Sequence, residues 1–169
     1  MSLTVQSYPD VESIKVVSDK VLNMLKEEAL EQGHRDTGKL INSMEYEIIE
    51  KGNIIEVMFT YAFYGRFVND GVPASKVRYA IGIIIDWAKR KGIIKSKKDY
   101  GIAYAIRHTH QQVGIPSKGS FKFSRNGRRT GFQDHVIKQI PSMVKPLIEE
   151  ELIKPLQMFF FDMLKSVKV

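Results

Sequence analysis

Residues 45–60, EYEIIEKGNIIEVMFT, carry the pattern that decides the fold. Apolar and charged residues alternate on both sides of a break at Lys51-Gly52-Asn53, and this period of two is typical of strands with one buried face. The dipeptide Gly52-Asn53 suits the positive φ angles of a tight turn. The stretch therefore predicts a β-hairpin over 45–60. Its alternating apolar residues are Tyr46 and Ile48 before the turn and Ile55, Val57 and Phe59 after it.

Helical periodicity precedes the hairpin. From Val11 to about Gln32, apolar residues recur at spacings of three and four, which predicts an amphipathic helix over 11–32 that ends at Gly33. A short second helix is expected next, with Asp36 as its N-cap. The apolar residues behind these two predictions are Val11, Ile14, Val17, Val21 and Leu25 in the first helix and Leu40, Ile41 and Met44 in the second.

Directly after the hairpin, residues 60–72 read TYAFYGRFVNDGV, with four aromatic rings, two glycines and one arginine. Aromatic residues placed where a strand meets a helix commonly belong to the core. Aromatic rings and arginine are also enriched in protein–protein contacts. Core packing and a subunit interface therefore both stay open for this set, which consists of Tyr61, Phe63, Tyr64, Arg66 and Phe67.

A helical segment is expected over 74–114. Its first helix has a broad apolar face and ends at Gly92 after consecutive basic residues, as is typical of a helix C-terminus. The isoleucine run at 83–85 could alternatively be the core of a strand. The second helix begins with Ser96 and Asp99, which have the spacing of a capping box.

The next segment, 116–132, is predicted to be a long exposed loop, or a hairpin with Asn126-Gly127 at its tip. Within it, residues 118–129 hold five basic residues and no acidic one, together with Phe121 and Phe123. We call this stretch the basic loop. It could be an arm that contacts phosphates or an acidic protein, or a solvated segment that keeps the protein soluble. Its candidate contact residues are Lys118, Lys122, Arg125, Arg128 and Arg129.

The C-terminal segment, 133–167, is helical by pattern. Pro146 is expected in a first turn, and Pro155 is expected to kink the helix or to begin a new one. Together these elements predict a single α+β domain over 1–169. In it a small antiparallel sheet, formed by the hairpin and by the basic loop if that folds as strands, packs against the first and last helices.

Composition limits the function classes. The chain of 169 residues carries a net charge of +7 and has no cysteine, which excludes disulfides and thiolate metal sites and favours contact with an acidic partner. The sequence contains no run of about 18 apolar residues, so we expect no membrane span. The sequence lacks phosphate-binding glycine motifs and a G-x-S-x-G nucleophile. His108 and His110 point in different directions on a helix, so we expect no shared metal ion. Because the motifs named above are also absent, we expect no cofactor and no catalytic activity.

Two short motifs flank the hairpin. Residues 36–43, DTGKLINS, precede it, and Tyr61-Ala62-Phe63-Tyr64 followed by Gly71 comes after it. In this order, behind an amphipathic helix, they resemble the tail-completion and head–tail joining family of long-tailed phages, which includes minor tail proteins of the lambdoid type. The resemblance covers roughly residues 11–72. The two helices of 74–114 look like an insertion carried by larger members.

The resemblance implies a virion structural protein that is assembled in the bacterial cytoplasm and acts at the head–tail junction. Such proteins form rings, in which one patch of a subunit meets a different patch of the next. The five-residue aromatic set would then lie in the core or between subunits. The basic loop would face a neighbouring subunit, another neck or tail-tube protein, or the DNA in the channel. The alternative hypothesis is a basic nucleic-acid-binding protein that uses residues 118–129.

Overall fold

A computed structural model describes residues 11–51 and 54–149. The helices there are α1 (Val11–Glu31), α2 (Lys39–Asn42), α3 (Gly65–Asp70), α4 (Ile81–Arg90), α5 (Tyr100–Val113), α6 (Phe132–Ile137) and α7 (Ile140–Ile148). Two strands, β1 (Glu45–Lys51) and β2 (Ile54–Thr60), pair as an antiparallel sheet, and three 3-10 turns lie at Ala74–Lys76, Lys97–Asp99 and Lys118–Phe123. The protein has the predicted α+β fold.

The hairpin forms with the predicted extent. Glu45 pairs with Thr60 at its open end and Lys51 pairs with Ile54 at the other, which leaves two residues for the connection. The predicted Gly52-Asn53 turn lies outside the described residues. Tyr46 faces α1, where its hydroxyl donates a 2.8 Å hydrogen bond to Asp19 Oδ1.

The sheet has only these two strands among the described residues, so the hairpin alternative for residues 116–132 is wrong. The loop instead begins with the 3-10 turn at 118–123, and its backbone bonds to the end of α1 through Arg125 N and Glu31 O at 2.7 Å. The backbone N–H and C=O groups of the loop need no strand partner, because this contact and local turns supply hydrogen bonds for them.

The main core lies between α1, the hairpin and the helices after the basic loop. α1 packs against β1, α6 and α7. The helix ends as predicted, because Gly33 adopts a φ of 75° and lets the amide groups of residues 33 and 34 bond back to the carbonyl groups of residues 30 and 29. The buried members of this core are Val21, Leu25, Ala29, Leu40, Met44, Phe132 and Val136.

A second cluster joins α4 to α5, and its buried residues are Ile84, Ala88, Ile94 and Ala103. The strand alternative for 83–85 is wrong, since these residues lie in α4. That helix begins only at Ile81, because Val77 and Ala80 on its N-terminal side are extended. The capping box of Ser96 and Asp99 is confirmed; it opens the 3-10 turn that leads into α5.

Two local predictions are wrong. Asp36 does not cap α2; Gly38 occupies that position with a φ of 81°, and Asp36 instead forms a salt bridge with Arg90 at 2.6 Å. Pro146 lies inside α7, whereas Pro141 occupies the first turn, where the missing amide hydrogen costs nothing. Pro155 and the rest of the C-terminal prediction beyond residue 149 lie outside the described residues.

The segments that carry the two clusters contact one another. Their contacts include the Asp36–Arg90 salt bridge, a 2.8 Å hydrogen bond from Lys91 Nζ to the Arg35 carbonyl, and a β-bridge between Val72 and Ile115. The division of the whole chain into one domain stays a prediction. Among the described helices, none has the length and apolar character that a membrane crossing requires.

Candidate functional site

The aromatic stretch turns inward first and outward afterwards. Tyr61 is half-buried against the main core, where its ring meets Phe132 edge-on at 6.0 Å. Gly65 is buried, and its surroundings leave no room for a side chain. A Cβ atom there would clash with the Tyr61 ring and would lie 2.7 Å from Leu40 Cδ1. The close approach at Gly65 fixes the start of α3 against the core.

The other end of α3 is fixed by Asn69, which is 5% exposed. Its side-chain oxygen accepts a 2.9 Å hydrogen bond from the amide of Gln133, and its carbonyl accepts one of 2.7 Å from the amide of Gly131. Both bonds go to the start of α6. One side of α3 is therefore tied to the core at both ends, and the opposite side has a defined orientation.

That opposite side of α3, together with the two residues before the helix, presents three aromatic rings to solvent. Phe63 is 76% exposed, Phe67 is 49% exposed and Tyr64 is 42% exposed. The two phenylalanine rings meet edge-to-face at 5.7 Å. Arg66 lies among them, exposed, with only a 3.5 Å ion pair to Asp70 one turn away. We call Phe63, Tyr64 and Phe67 the aromatic patch.

The aromatic patch borders the contact between the two clusters. Burial raises the pKa of the Tyr64 hydroxyl, and the negative charge of Asp36 adds to this effect. The hydrogen bonds from Arg90 hold the pKa of Asp36 below its usual value, so this carboxylate stays charged and paired. Tyr64 thus lies beside a fixed ion pair.

The three arginines of the basic loop face α1. Arg128 Nε donates to Glu28 Oε1 at 3.2 Å, Arg125 Nη1 donates to Glu31 Oε1 at 3.1 Å, and Arg129 Nη1 donates to the Gln32 carbonyl. Glu28 is only 11% exposed. These guanidinium groups bind two carboxylates of α1 and the carbonyl of the residue directly after it, and so hold the loop against the end of the helix.

Lys118 and Lys122 remain exposed, with no salt bridge to a carboxylate in the described part of the chain. Lys122 Nζ lies 5.1 Å from the ring centroid of Phe123. Of the two predicted loop aromatics, Phe121 is 42% exposed and Phe123 is 54% exposed. Two lysines and two phenylalanines of the loop are therefore accessible to a partner, whereas its arginines stabilise the contact between the loop and the end of α1.

A second basic region was missed by the sequence analysis. Residues 89–98, KRKGIIKSKK, hold six basic residues and no acidic one, and all six are exposed. We call this stretch the lysine turn. A charge count over a ten-residue window finds it, but the first three cations had been interpreted only as a helix end.

The two central histidines separate as predicted. His108 is exposed, whereas His110 is half-buried and lies 2.6 Å from the Tyr79 hydroxyl through Nδ1. Burial lowers the pKa of His110, which favours the neutral ring, and a neutral ring without a proton on Nδ1 can accept the hydrogen bond of the Tyr79 hydroxyl. Within residues 11–51 and 54–149 no group of three or more potential ligands among His, Cys, Asp and Glu could hold a metal ion.

Comparisons with known proteins return no match: no family model, no curated protein and no solved structure is similar to this chain.

Proposed function

We propose that this chain is a structural protein of a phage or prophage virion that acts at the head–tail junction by self-assembly and protein contacts, without catalysis. The observation that supports the proposal is the aromatic patch on α3. Its rings are exposed although the helix beneath them is locked to the core at Gly65 and Asn69. A pre-organised aromatic surface of this kind is typical of a contact with another subunit.

Energetics favour covering the patch. An aromatic side chain buries 150–250 Å² in a contact, so rings that are about half exposed gain roughly 2 kcal/mol each on burial at about 25 cal/mol per Å². Arg66 adds a cation of the type enriched in such contacts. The occupant is a second copy of this chain, meeting the patch with a different surface, because a closed ring requires such a heterologous contact.

The position of Tyr61 refines the five-residue candidate set. Its ring packs on Phe132, so it contributes to the base of the surface. Phe63, Tyr64, Arg66 and Phe67 are the members that a partner can reach. The localisation proposed with this function is the virion, after assembly in the host cytoplasm.

The decisive measurement is the solution mass of the protein by light scattering over a range of concentrations. We expect a concentration-dependent oligomer, and we expect Phe63→Ala/Phe67→Ala to weaken its association by about a thousandfold, since two rings at roughly 2 kcal/mol each correspond to nearly three factors of ten. The matched control is Phe121→Ala/Phe123→Ala, which removes two other exposed phenylalanine rings, 42% and 54% exposed, from the basic loop. A protein that stays monomeric and binds no neck or tail-tube protein would contradict the proposal.

A further inference from the structure

The lysine turn is an ordered surface. Gly92, with a φ of 68°, lets the amide groups of residues 92 and 93 bond back to the carbonyl groups of residues 89 and 88. Ile94 is 3% exposed and belongs to the second core cluster. Asp99 then accepts hydrogen bonds from the amide groups of Lys95 and Ser96 and from the Ser96 hydroxyl, at 2.8–3.2 Å. The backbone that carries the lysines is thus fixed at three successive points.

The charges on this backbone are largely unpaired. Arg90 is engaged with Asp36, Lys91 donates to the Arg35 carbonyl, and Lys89 Nζ lies 5.5 Å from the Tyr100 ring centroid. The other three lysines of the turn, Lys95, Lys97 and Lys98, form no salt bridge with any carboxylate of the described residues. Asp99, the nearest acidic residue in sequence, uses its oxygen to close the capping box.

Residue type selects the class of partner. Lysine is depleted in protein–protein interfaces, because a flexible, strongly hydrated ammonium group is costly to bury. Lysine is common in sequence-independent contacts with phosphate, where the charge stays hydrated and counterions are released. We infer that the lysine turn binds the phosphate backbone of nucleic acid, with Lys95, Lys97 and Lys98 as its main contacts. This surface is separate from the aromatic patch and does not depend on self-association.

The test measures binding of the whole chain to a short fluorescent DNA duplex by anisotropy over a series of salt concentrations. Each phosphate contact contributes about 0.9 to the slope of log affinity against log salt. We expect Lys97→Gln/Lys98→Gln to reduce the magnitude of that slope by about 2 and the affinity at low salt by roughly tenfold or more. Thermal unfolding should be unchanged, since both side chains are exposed.

The matched control is Lys118→Gln/Lys122→Gln. It also removes two exposed lysines from a 3-10 turn, in this case within the basic loop. We expect it to leave the salt slope within about 0.5 of the wild type. An equal or larger loss in the control, or no DNA binding by the wild type at low salt, would overturn the inference. Equally tight binding of poly-glutamate would overturn it too, because the partner would then be an acidic protein.

Discussion

The basic loop and the lysine turn have a similar density of positive charge, but their cations differ in the contacts that they make with the rest of the molecule. Both carry a dense run of cations without an acidic residue; the basic loop follows α5 and Gly114, and the lysine turn begins in the last residues of α4 and continues past Gly92. The loop folds back on α1, where Glu28, Glu31 and the carbonyl of Gln32 receive its arginines. The turn is held by its own backbone, by a capping box and by the contacts of Arg90 and Lys91 with Asp36 and Arg35, while Lys95, Lys97 and Lys98 stay in solvent. A high density of charge in the sequence therefore predicts an external partner only where the folded chain does not itself supply groups that bind the cations.

The two helix-ending glycines give the largest expected difference between these regions. Gly33 and Gly92 both have positive φ, but a Cβ atom at Gly33 would collide with the Phe123 carbonyl of the basic loop, whereas Gly92 has open space around it. We expect Gly33→Ala to lower the free energy of unfolding by about 3 kcal/mol or more, and Gly92→Ala by about 1 kcal/mol. Urea unfolding of the two variants measures this. Equal losses would mean that the loop does not rest on the end of α1.

Removal of one arginine from the loop should come next in size. Arg128→Met takes the guanidinium group from the nearly buried Glu28 and leaves it the amide donors of Gln32 and Asn126, and we expect a loss of about 2 kcal/mol in the free energy of unfolding. Arg125 is the control, because its side chain is 79% exposed and Arg125→Met should cost no more than about 0.5 kcal/mol. Chemical denaturation at moderate salt distinguishes the two. If both variants are as stable as the wild type, the loop arginines are free to act on a partner.

The loop side of the molecule should also respond to pH. Burial, with the charge of Arg129 adding to it, lowers the pKa of His34 from 6.5 to about 4. The unfolded chain therefore binds this proton at a higher pH than the folded chain does. Stability from the neutral ring is complete above about pH 6.5 and is lost progressively as the pH falls from there to about 4.

We expect His34 to account for roughly 2 kcal/mol of the decrease in stability between pH 7 and pH 4.5, after allowance for its partial exposure. Unfolding of His34→Gln at the two pH values checks this, and the decrease should be smaller in the variant by that amount. His110, whose pKa is also lowered by burial, remains in the variant and keeps part of the pH dependence. An unchanged decrease would show that His34 does not titrate with folding.

Local signals predicted the parts of the structure that depend on neighbouring residues. The hairpin, the end of α1 at Gly33 and the Ser96–Asp99 capping box are each encoded within a few positions, and all three are present. Asp36 was assigned to a local cap because its true partner, Arg90, lies 54 residues away. The local pattern does not decide between loop and hairpin for residues 116–132 for the same reason, since Arg128 and its partner Glu28 are 100 residues apart. For the aromatic stretch, sequence identified the rings but not which of them face outward, because Gly65 and Asn69 set that by contacts with Leu40 and Gln133.

The smallest expected effect tests whether the lysine turn is held by its own residues. Ser96→Ala removes a helix-capping hydroxyl, which typically costs about 1 kcal/mol, and the residues that lose order should be those of the turn and the start of α5. Hydrogen exchange should therefore speed up at residues 95–100 and stay unchanged at the end of α1. Asp99 would keep its bonds to the two amide groups, so the turn should loosen without unfolding. If DNA binding by this variant also weakens while all five lysines remain, the fixed spacing of the lysines, and not their number alone, determines the contact.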